Sequence, residues 1–237
     1  MISDEVLAII PARGGSKRIP RKNVALLGGE PLIKYTILAA LGSKRVSRAV
    51  VSTDDRQISQ LSTELGAEVL FPRPRELATD TASSLDVLQH AVRHCGSGSS
   101  QAETVVLLQP TSPFRTSTHI DAAIDLFLSS QADTVIAVRA VTDHPYWMWK
   151  PEGSSISPLY TFEHVSMGRQ LLPTFYLENG SIYVLTSSLL LSSGLYGSKV
   201  VPFVMGAVES LDVDEPLDLA WAEFLLARYP AQIGKRS

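Results

Sequence analysis

The sequence predicts an α/β protein: a mostly parallel sheet with helices on both faces, plus a small inserted arm. Three observations lead there. Apolar strand-like runs alternate with helix-like segments along most of the 237 residues, the rhythm of right-handed crossovers in a parallel sheet. Hydrophobic content of 45% and charged content of 19% suit one sizeable core, so residues 1–237 read as a single domain. The rhythm fails once, from Thr142 to Phe175, where two of the three tryptophans gather among prolines and glycines.

In chain order, "EVLAIIP" reads as a buried strand and "PLIKYTILAAL" as a helix with Pro31 near its start. "RAVVST" is the second strand, followed by the helix "DDRQISQLSTELG", which stops at Gly66. "AEVLF" is read as a third strand. After it come the proline-rich loop "PRPRELATDTA", with Asp80 as a loop brace, and the helix "SSLDVLQHAVRH" with serine available as N-cap. "GSGSSQAE" reads as a surface loop. "TVVLLQP" is strand four, "STHIDAAIDLFLSS" a helix, and "DTVIAVRAV" strand five. The irregular stretch, approximately residues 142–175, is an insertion leaving the sheet. Its aromatics suggest a subunit interface, or else a small subdomain packed on itself. "GSIYVLT", "KVVPFVMG" and the helix "EPLDLAWAEFLLARY" complete the domain.

Composition removes several classes of function. The formal net charge of -3 gives no general nucleic-acid footprint. No apolar run approaches the ~18 residues of a membrane helix, and "MISDEV" lacks the order of a signal peptide. One cysteine, Cys95, allows no internal disulfide and suits a reducing cytoplasm. His90, His94, His119, His144 and His164 show neither zinc spacing nor a cysteine partner.

Against this background the segment "AIIPARGGSKRIPRKN" stands out. A buried strand runs into two glycines and five cations, Arg13, Lys17, Arg18, Arg21 and Lys22. Ligands of open α/β sheets bind beyond the carboxyl ends of strands, and this loop lies at such an end. Gly14 and Gly15 let the backbone approach a ligand and turn its N–H groups inward. Arginine can grip phosphate oxygens with two donors, and lysine supplies a mobile point charge. The alternative is a solvated basic loop. Neither the Walker A nor the dinucleotide-binding pattern is present. Farther on, Asp212 and Asp214 in "SLDVDEP" are two apart. In extended chain both carboxylates would face one site and could hold a hard cation. Asp214 could equally be the N-cap of the helix that Pro216 opens.

These residues resemble a known family. "PARGGSKRIPRKN", "STDD", "RPRELATDTASSLDV", "LLQPTSPFR", "GRQLLPTFYLENGSIYV" and "SLDVDEPLD" are similar, in this order and over almost the whole chain, to the cytidylyltransferases that activate sialic acids, the CMP-acylneuraminate (nonulosonate) synthetases. The resemblance implies a Rossmann-like α/β fold in which the inserted segment is a dimerisation arm, CTP and an acidic nine-carbon sugar as substrates, Mg²⁺ (or Mn²⁺) as cofactor, and a cytoplasmic homodimer. The sugar's anomeric hydroxyl would attack the α-phosphate, with pyrophosphate leaving.

It also implies roles for residues. Arg13 and Lys22 take the phosphates and carry catalysis, Lys22 lying against the α-phosphate, within a nucleotide-binding loop that includes Gly14, Gly15, Ser16 and Asn23. Lys17, Arg18 and Arg21 set the field. Arg73 belongs at the cytosine edge, with Ala82 and Ser84 near base and ribose, although Ser84 could also cap its helix. Gln109 would contact the sugar, its other reading being a loop-bracing amide. Arg169 and Gln170, reaching from the arm into the neighbouring subunit's site, would meet the sugar carboxylate and hydroxyls, with Lys150 as a further candidate. Asn179 and Tyr183 are further sugar contacts, although Asn179-Gly180 could be a hairpin turn. The resemblance assigns Asp212 and Asp214 to the metal. Alternatives are an enzyme like CMP-Kdo synthetase, acting on an eight-carbon sugar, or a nucleotide-binding regulator without turnover.

Overall fold

The computed structural model describes residues 5–79, 81–95 and 103–229; Asp80 and most of the serine-glycine loop lie outside them. The chain opens in β1 (Val6–Pro11), buried on nearly every residue, as a central strand covered on both faces should be. A minimal hairpin follows, β2 (Leu26–Leu27) with β3 (Glu30–Pro31). Gly28 and Gly29 form its turn at positive φ, where a side chain would be strained. The alternation then runs α1 (Leu32–Leu41), β4 (Arg48–Ser52), α2 (Arg56–Glu64), α3 (Ser84–Cys95), β5 (Thr104–Leu108), α4 (Ser117–Ser130) and β6 (Thr134–Ala140).

Beyond β6 the chain leaves the sheet. β7 (Trp149–Glu152) and β8 (Ser155–Pro158) form their own antiparallel ribbon, followed by the short helix α5 (Phe162–Val165). The sheet resumes with β9 (Tyr176–Thr186), α6 (Ser187–Ser192) and β10 (Val200–Val204), and α7 (Pro216–Arg228) closes the described chain. No helix of the described residues is long and apolar enough to cross a membrane.

The six-stranded sheet has the order β10-β6-β9-β5-β1-β4. β1 is parallel to β4 and β5, and β10 to β6, while β9 runs antiparallel between β5 and β6. Alternate residues of β1 feed two cores. Ala8 and Ile10 pack with Ile33 and Ile37 of α1 and Ile120 and Ile124 of α4; Leu7 and Ile9 pack with Leu88 and Ala91 of α3 and Leu190 of α6. A third cluster joins Ile19, Leu27, Leu32, Phe114 and Val213 to Ala222 and Leu225 of α7. It anchors the basic loop and the Asp212–Asp214 segment to one apolar base.

Two expected elements differ from the structure. "AEVLF" is not a ladder strand: Glu68 and Pro72 make only isolated bridges to Val50 and Thr53 beside the outermost strand. Pro72 and Pro74 lack the N–H groups a ladder needs. The last long strand begins earlier than "GSIYVLT", so Asn179-Gly180 lies inside β9 and forms no hairpin turn. There the β6–β9 register slips, from Ile136 opposite Tyr183 to Val138 opposite Glu178. Gly180 takes φ +71°, and the strand bulges.

Candidate active site

β1 has β4 on one side and β5 on the other. The chain's direction of travel across the sheet reverses at this point, which opens a crevice beyond the strand ends. A cavity of about 490 Å³ occupies it. The loop after β1 lines it with Arg13, Gly15, Ser16, Lys22 and Asn23, the segment before α3 with Arg73, Ala82 and Ser84, and the end of β5 with Gln109 and Thr111. Asp214 comes to it from the far end of the sequence.

The basic loop is braced from within. Ser16 Oγ donates to the Ile19 carbonyl and accepts the Lys22 N–H at 2.9 Å. The buried Asn23 side chain donates to the Arg13 carbonyl at 2.9 Å, so Asn23 shapes the loop from beneath. Gly14 lies against the acids of "STDD". Its N–H donates to Asp54 Oδ1 at 2.9 Å, and a Cβ there would fall 2.8 Å from Asp55, so only glycine fits.

The five cations separate by role. Arg21 turns away to Asp55 and Gln57, and Arg18 lies 3.5 Å from Glu215. Arg13, Lys17, Arg18 and Lys22 all line the cavity. Lys22 Nζ is 2.7 Å from Asp214 Oδ1, with its side chain only 16% exposed.

Arg73 is buried, donating to the Ser52 hydroxyl and carbonyl. Burial lowers its guanidinium to about 10, with Asp54 opposing the shift and Arg13 adding to it; it stays charged at neutral pH. Ser83, not Ser84, caps α3, accepting the Asp86 N–H at 3.0 Å. That leaves Ser84 to the cavity. Asp214 is not a cap either: Glu215 is the N-cap of α7, and the Asp214 carboxylate faces Lys22.

A second cavity of about 570 Å³ adjoins the β9 bulge, and Gln109 lines both. Arg139, Glu178, Asn179, Tyr183, Ser210 and Asp212 line the second. Its floor is built on Arg115, fully buried, whose guanidinium donates to the carbonyls of Gln109 (3.2 Å) and Ser181 (2.8 Å) and to Thr36 Oγ1 (2.6 Å). The Gln109 side chain packs against Gly180, where an added Cβ would lie 3.3 Å from its Oε1. Asn179 spends its amide on the fold, donating to Ser210 Oγ at 2.9 Å and accepting the Ser181 N–H at 3.0 Å. Burial, and then Glu178, raise the Tyr183 phenol above its usual range.

Asp212 and Asp214 flank Val213, which is buried in the apolar base and held by its N–H to the Thr111 carbonyl at 2.8 Å. Asp212 lines the second cavity and Asp214 the first. Burial raises the Asp212 carboxyl above its ordinary value, and Asp214 adds to the rise. Asp212 Oδ1 and Thr111 Oγ1 are both buried without a hydrogen-bond partner.

Three expected sugar contacts lie outside both cavities of their own chain. Arg169 lines a separate cavity with His144 and Trp147, Gln170 is exposed beside it, and Lys150 on β7 pairs with Glu152 at 3.5 Å. Conversely, the sequence reading passed over Arg115, Arg139 and Glu178. "LLQPTSPFR" contains Arg115 and offered a signal; nothing local marked the other two.

A doubly wound sheet with a basic, glycine-containing loop over its crevice and two carboxylates opposite defines an α/β protein built for nucleotidyl transfer. The sequence profile of the family described as cytidylyltransferase matches residues 7–148. The chain is 35% identical over 225 residues to a CMP-N,N'-diacetyllegionaminic acid synthase of Legionella pneumophila, covering 93% of this chain and 96% of that protein. It is 33% identical to an N-acylneuraminate cytidylyltransferase of Escherichia coli, covering 92% of this chain but only 51% of the relative. A pseudaminic acid cytidylyltransferase of Campylobacter jejuni is 32% identical, with 92% and 95% covered. The chain belongs to the CMP-acylneuraminate (nonulosonate) cytidylyltransferase family. A solved CMP:2-keto-3-deoxy-manno-octonic acid synthetase complexed with CTP superposes with a TM-score of 0.69, covering 94% of this chain and 99% of that one. At 18% identity that likeness shows the fold alone.

Proposed function

We propose that the protein condenses CTP with an acidic nine-carbon sugar, giving the CMP-sugar and pyrophosphate. The observation that carries this reading is the meeting of two cavities at Gln109, with Lys22 and Asp214 on one side and Asp212 on the other. The first holds the nucleotide. Arg13, Lys22 and the N–H groups of Gly15 and Ser16 face the phosphates, while Arg73, Ala82 and Ser84 take the base and ribose. The second holds the sugar, with Gln109 and Tyr183 as polar contacts and Asn179 as a brace. At the junction the anomeric oxygen bonds to the α-phosphorus as the bond to the bridging oxygen of pyrophosphate breaks. The hydroxyl proton leaves for solvent. Lys22 stabilises the negative charge that grows on the α-phosphoryl oxygens, and the loop contributes mainly by positioning.

The carboxylates fit Mg²⁺ or Mn²⁺. Asp212 Oδ1 is a buried oxygen in want of a partner, and no cluster of three or more candidate ligands occurs among the described residues. That donor set suits a hard cation that takes one or two carboxylates and completes its shell from phosphates and water. When bound, the cation would neutralise charge on the phosphates. The exposed arm residues Ile156, Phe162 and Leu171, at 62%, 68% and 73%, support a homodimer that brings the partner's Arg169 and Gln170 to the sugar. We place the reaction in the cytoplasm, where CTP is supplied. The test is pyrophosphate release from CTP with Mg²⁺ and a panel of N-acetylneuraminate, legionaminate, pseudaminate, deaminated sialic acid and the eight-carbon Kdo. Release with nine-carbon acids supports the reading; release with Kdo alone overturns it.

A further inference from the structure

Within one chain the second cavity lacks the counter-charge foreseen for an acidic sugar, because Arg169, expected at the carboxylate, lines a separate cavity. Two of its lining residues, Glu178 and Asp212, are acids, and an acidic sugar would be a third negative charge beside them. Arg139, at the end of β6, is the one cation lining this cavity among the described residues. Glu178 sits on the neighbouring strand one step out of register, since Val138 pairs with Glu178 and Arg139 with Leu177. Glu178 does not neutralise Arg139. Its two oxygens accept the Tyr196 hydroxyl at 2.9 and 3.2 Å, and it also acts on the Tyr183 phenol. Among the described residues the Arg139 side chain has no hydrogen-bond or ion-pair partner, and Arg139 is half-buried. A guanidinium held at a cavity wall without a counter-ion suits a ligand carboxylate, which its planar fork can grip with two donors.

We propose that Arg139 receives the carboxylate of the sugar acid, from the same chain that binds the nucleotide. This rests on the proposed function and makes Arg139 a determinant of acid over neutral sugar. Substrate carboxylate and anomeric hydroxyl share one carbon, so the same contact points the hydroxyl toward Gln109 and Asp212, at the junction with the nucleotide cavity. Glu178, kept in place by the two tyrosines, restricts the remaining space to groups that donate hydrogen bonds.

The experiment compares wild type, Arg139→Gln and Arg139→Lys with a nonulosonic acid and its C1 carboxamide at saturating CTP, read by pyrophosphate release. Wild type should prefer the acid by about 10- to 100-fold in kcat/KM, the range of a charge-assisted pair. In Arg139→Gln that preference should collapse toward one, through the sugar KM, with the CTP KM unchanged; Arg139→Lys should restore part of it. Acid and amide falling in parallel would reveal a structural role and overturn the proposal, as would an unchanged preference. If wild type releases pyrophosphate with no nonulosonic acid, it is the proposed function that fails. Saturation-transfer NMR of the same acid and amide then tests Arg139 directly, where equal signals from wild type and Arg139→Gln overturn it.

Discussion

Arg115 is the perturbation that best tests how the two cavities are held together. Its guanidinium is fully buried and bridges the end of β5, the β9 bulge and α1 through Gln109 O, Ser181 O and Thr36 Oγ1. Arg115→Met keeps much of the side-chain volume and removes all three bonds. Each buried acceptor that loses its donor costs about 1–3 kcal/mol, so the three together should cost about 3–9 kcal/mol. For a domain of this size ~1 kcal/mol moves the melting temperature by about 2–4 °C, which predicts a fall on the order of 6–36 °C. Differential scanning calorimetry on the full chain reads it directly. Thr36→Val, which removes one of the three acceptors without leaving a void, should cost roughly a third as much. The carbonyls that Arg115 grips belong to the sugar side, so surviving Arg115→Lys protein should show a raised sugar KM beside a normal CTP KM. A melting temperature within about 3 °C of wild type for Arg115→Met would refute the claim that this guanidinium braces the site.

Three other outcomes follow from the same geometry. Lys22→Ala should lower kcat by about 10²–10³-fold, more than it raises the CTP KM, because its charge acts chiefly in the transition state; a change confined to KM would make it a uniform binding contact. Asp214→Asn should lose most turnover, since an amide is a poorer ligand for a hard cation, yet bind CTP about threefold more tightly without metal, because Lys22 is released from a partly exposed pair worth ~1 kcal/mol or less; near-normal turnover would remove Asp214 from the metal site. If the arm acts across a dimer, inactive Lys22→Ala and Arg169→Ala chains co-refolded in equal amounts should regain roughly a quarter of wild-type activity, half the dimers being mixed with one intact site each. No recovery, with mixed dimers confirmed, would put Arg169 in its own subunit's site or outside it.

That the basic loop lines the crevice was legible in the sequence because its residues are local. A strand, a turn and a run of cations announce their position at a strand end, and Arg13 through Asn23 need only one loop to come together. The Asp212–Asp214 pair was legible only in part: alternation around the apolar Val213 turns both carboxylates out of the apolar base, but Asp214 lines one cavity and Asp212 the other. What stayed hidden depended on register. Arg139 reads as one polar residue in a buried strand, and only the slip between Ile136 and Val138 sets it beside a cavity. Arg115 looks like a surface charge after a loop, yet it is 0% exposed, because the acceptors that make its burial tolerable come from α1 and β9, distant in sequence. "AEVLF" misled because its apolar run signals a strand while the prolines after it decide whether a ladder can form.

The reversal of β9 explains where the second cavity, proposed for the sugar, comes from. In a wholly parallel sheet every strand delivers its carboxyl end to the crevice, so site residues follow the hydrophobic runs, as Arg13 follows β1 and Gln109 follows β5. β9 runs the other way, with Ile182 opposite Leu108 and Thr186 opposite Thr104. Its beginning therefore arrives at the crevice, and Glu178, Asn179 and Gly180 precede the apolar run that buries it. Gly180 at φ +71° lets the strand bulge where it meets Gln109, and Arg115 fixes that bulge by the Ser181 carbonyl. A parallel nucleotide-binding sheet thus gains a second cavity at its active edge without a second domain. The strand that supplies it is also the one to which the arm returns, which is why the arm and the sugar cavity are joined through Tyr176 and Leu177 at the start of β9.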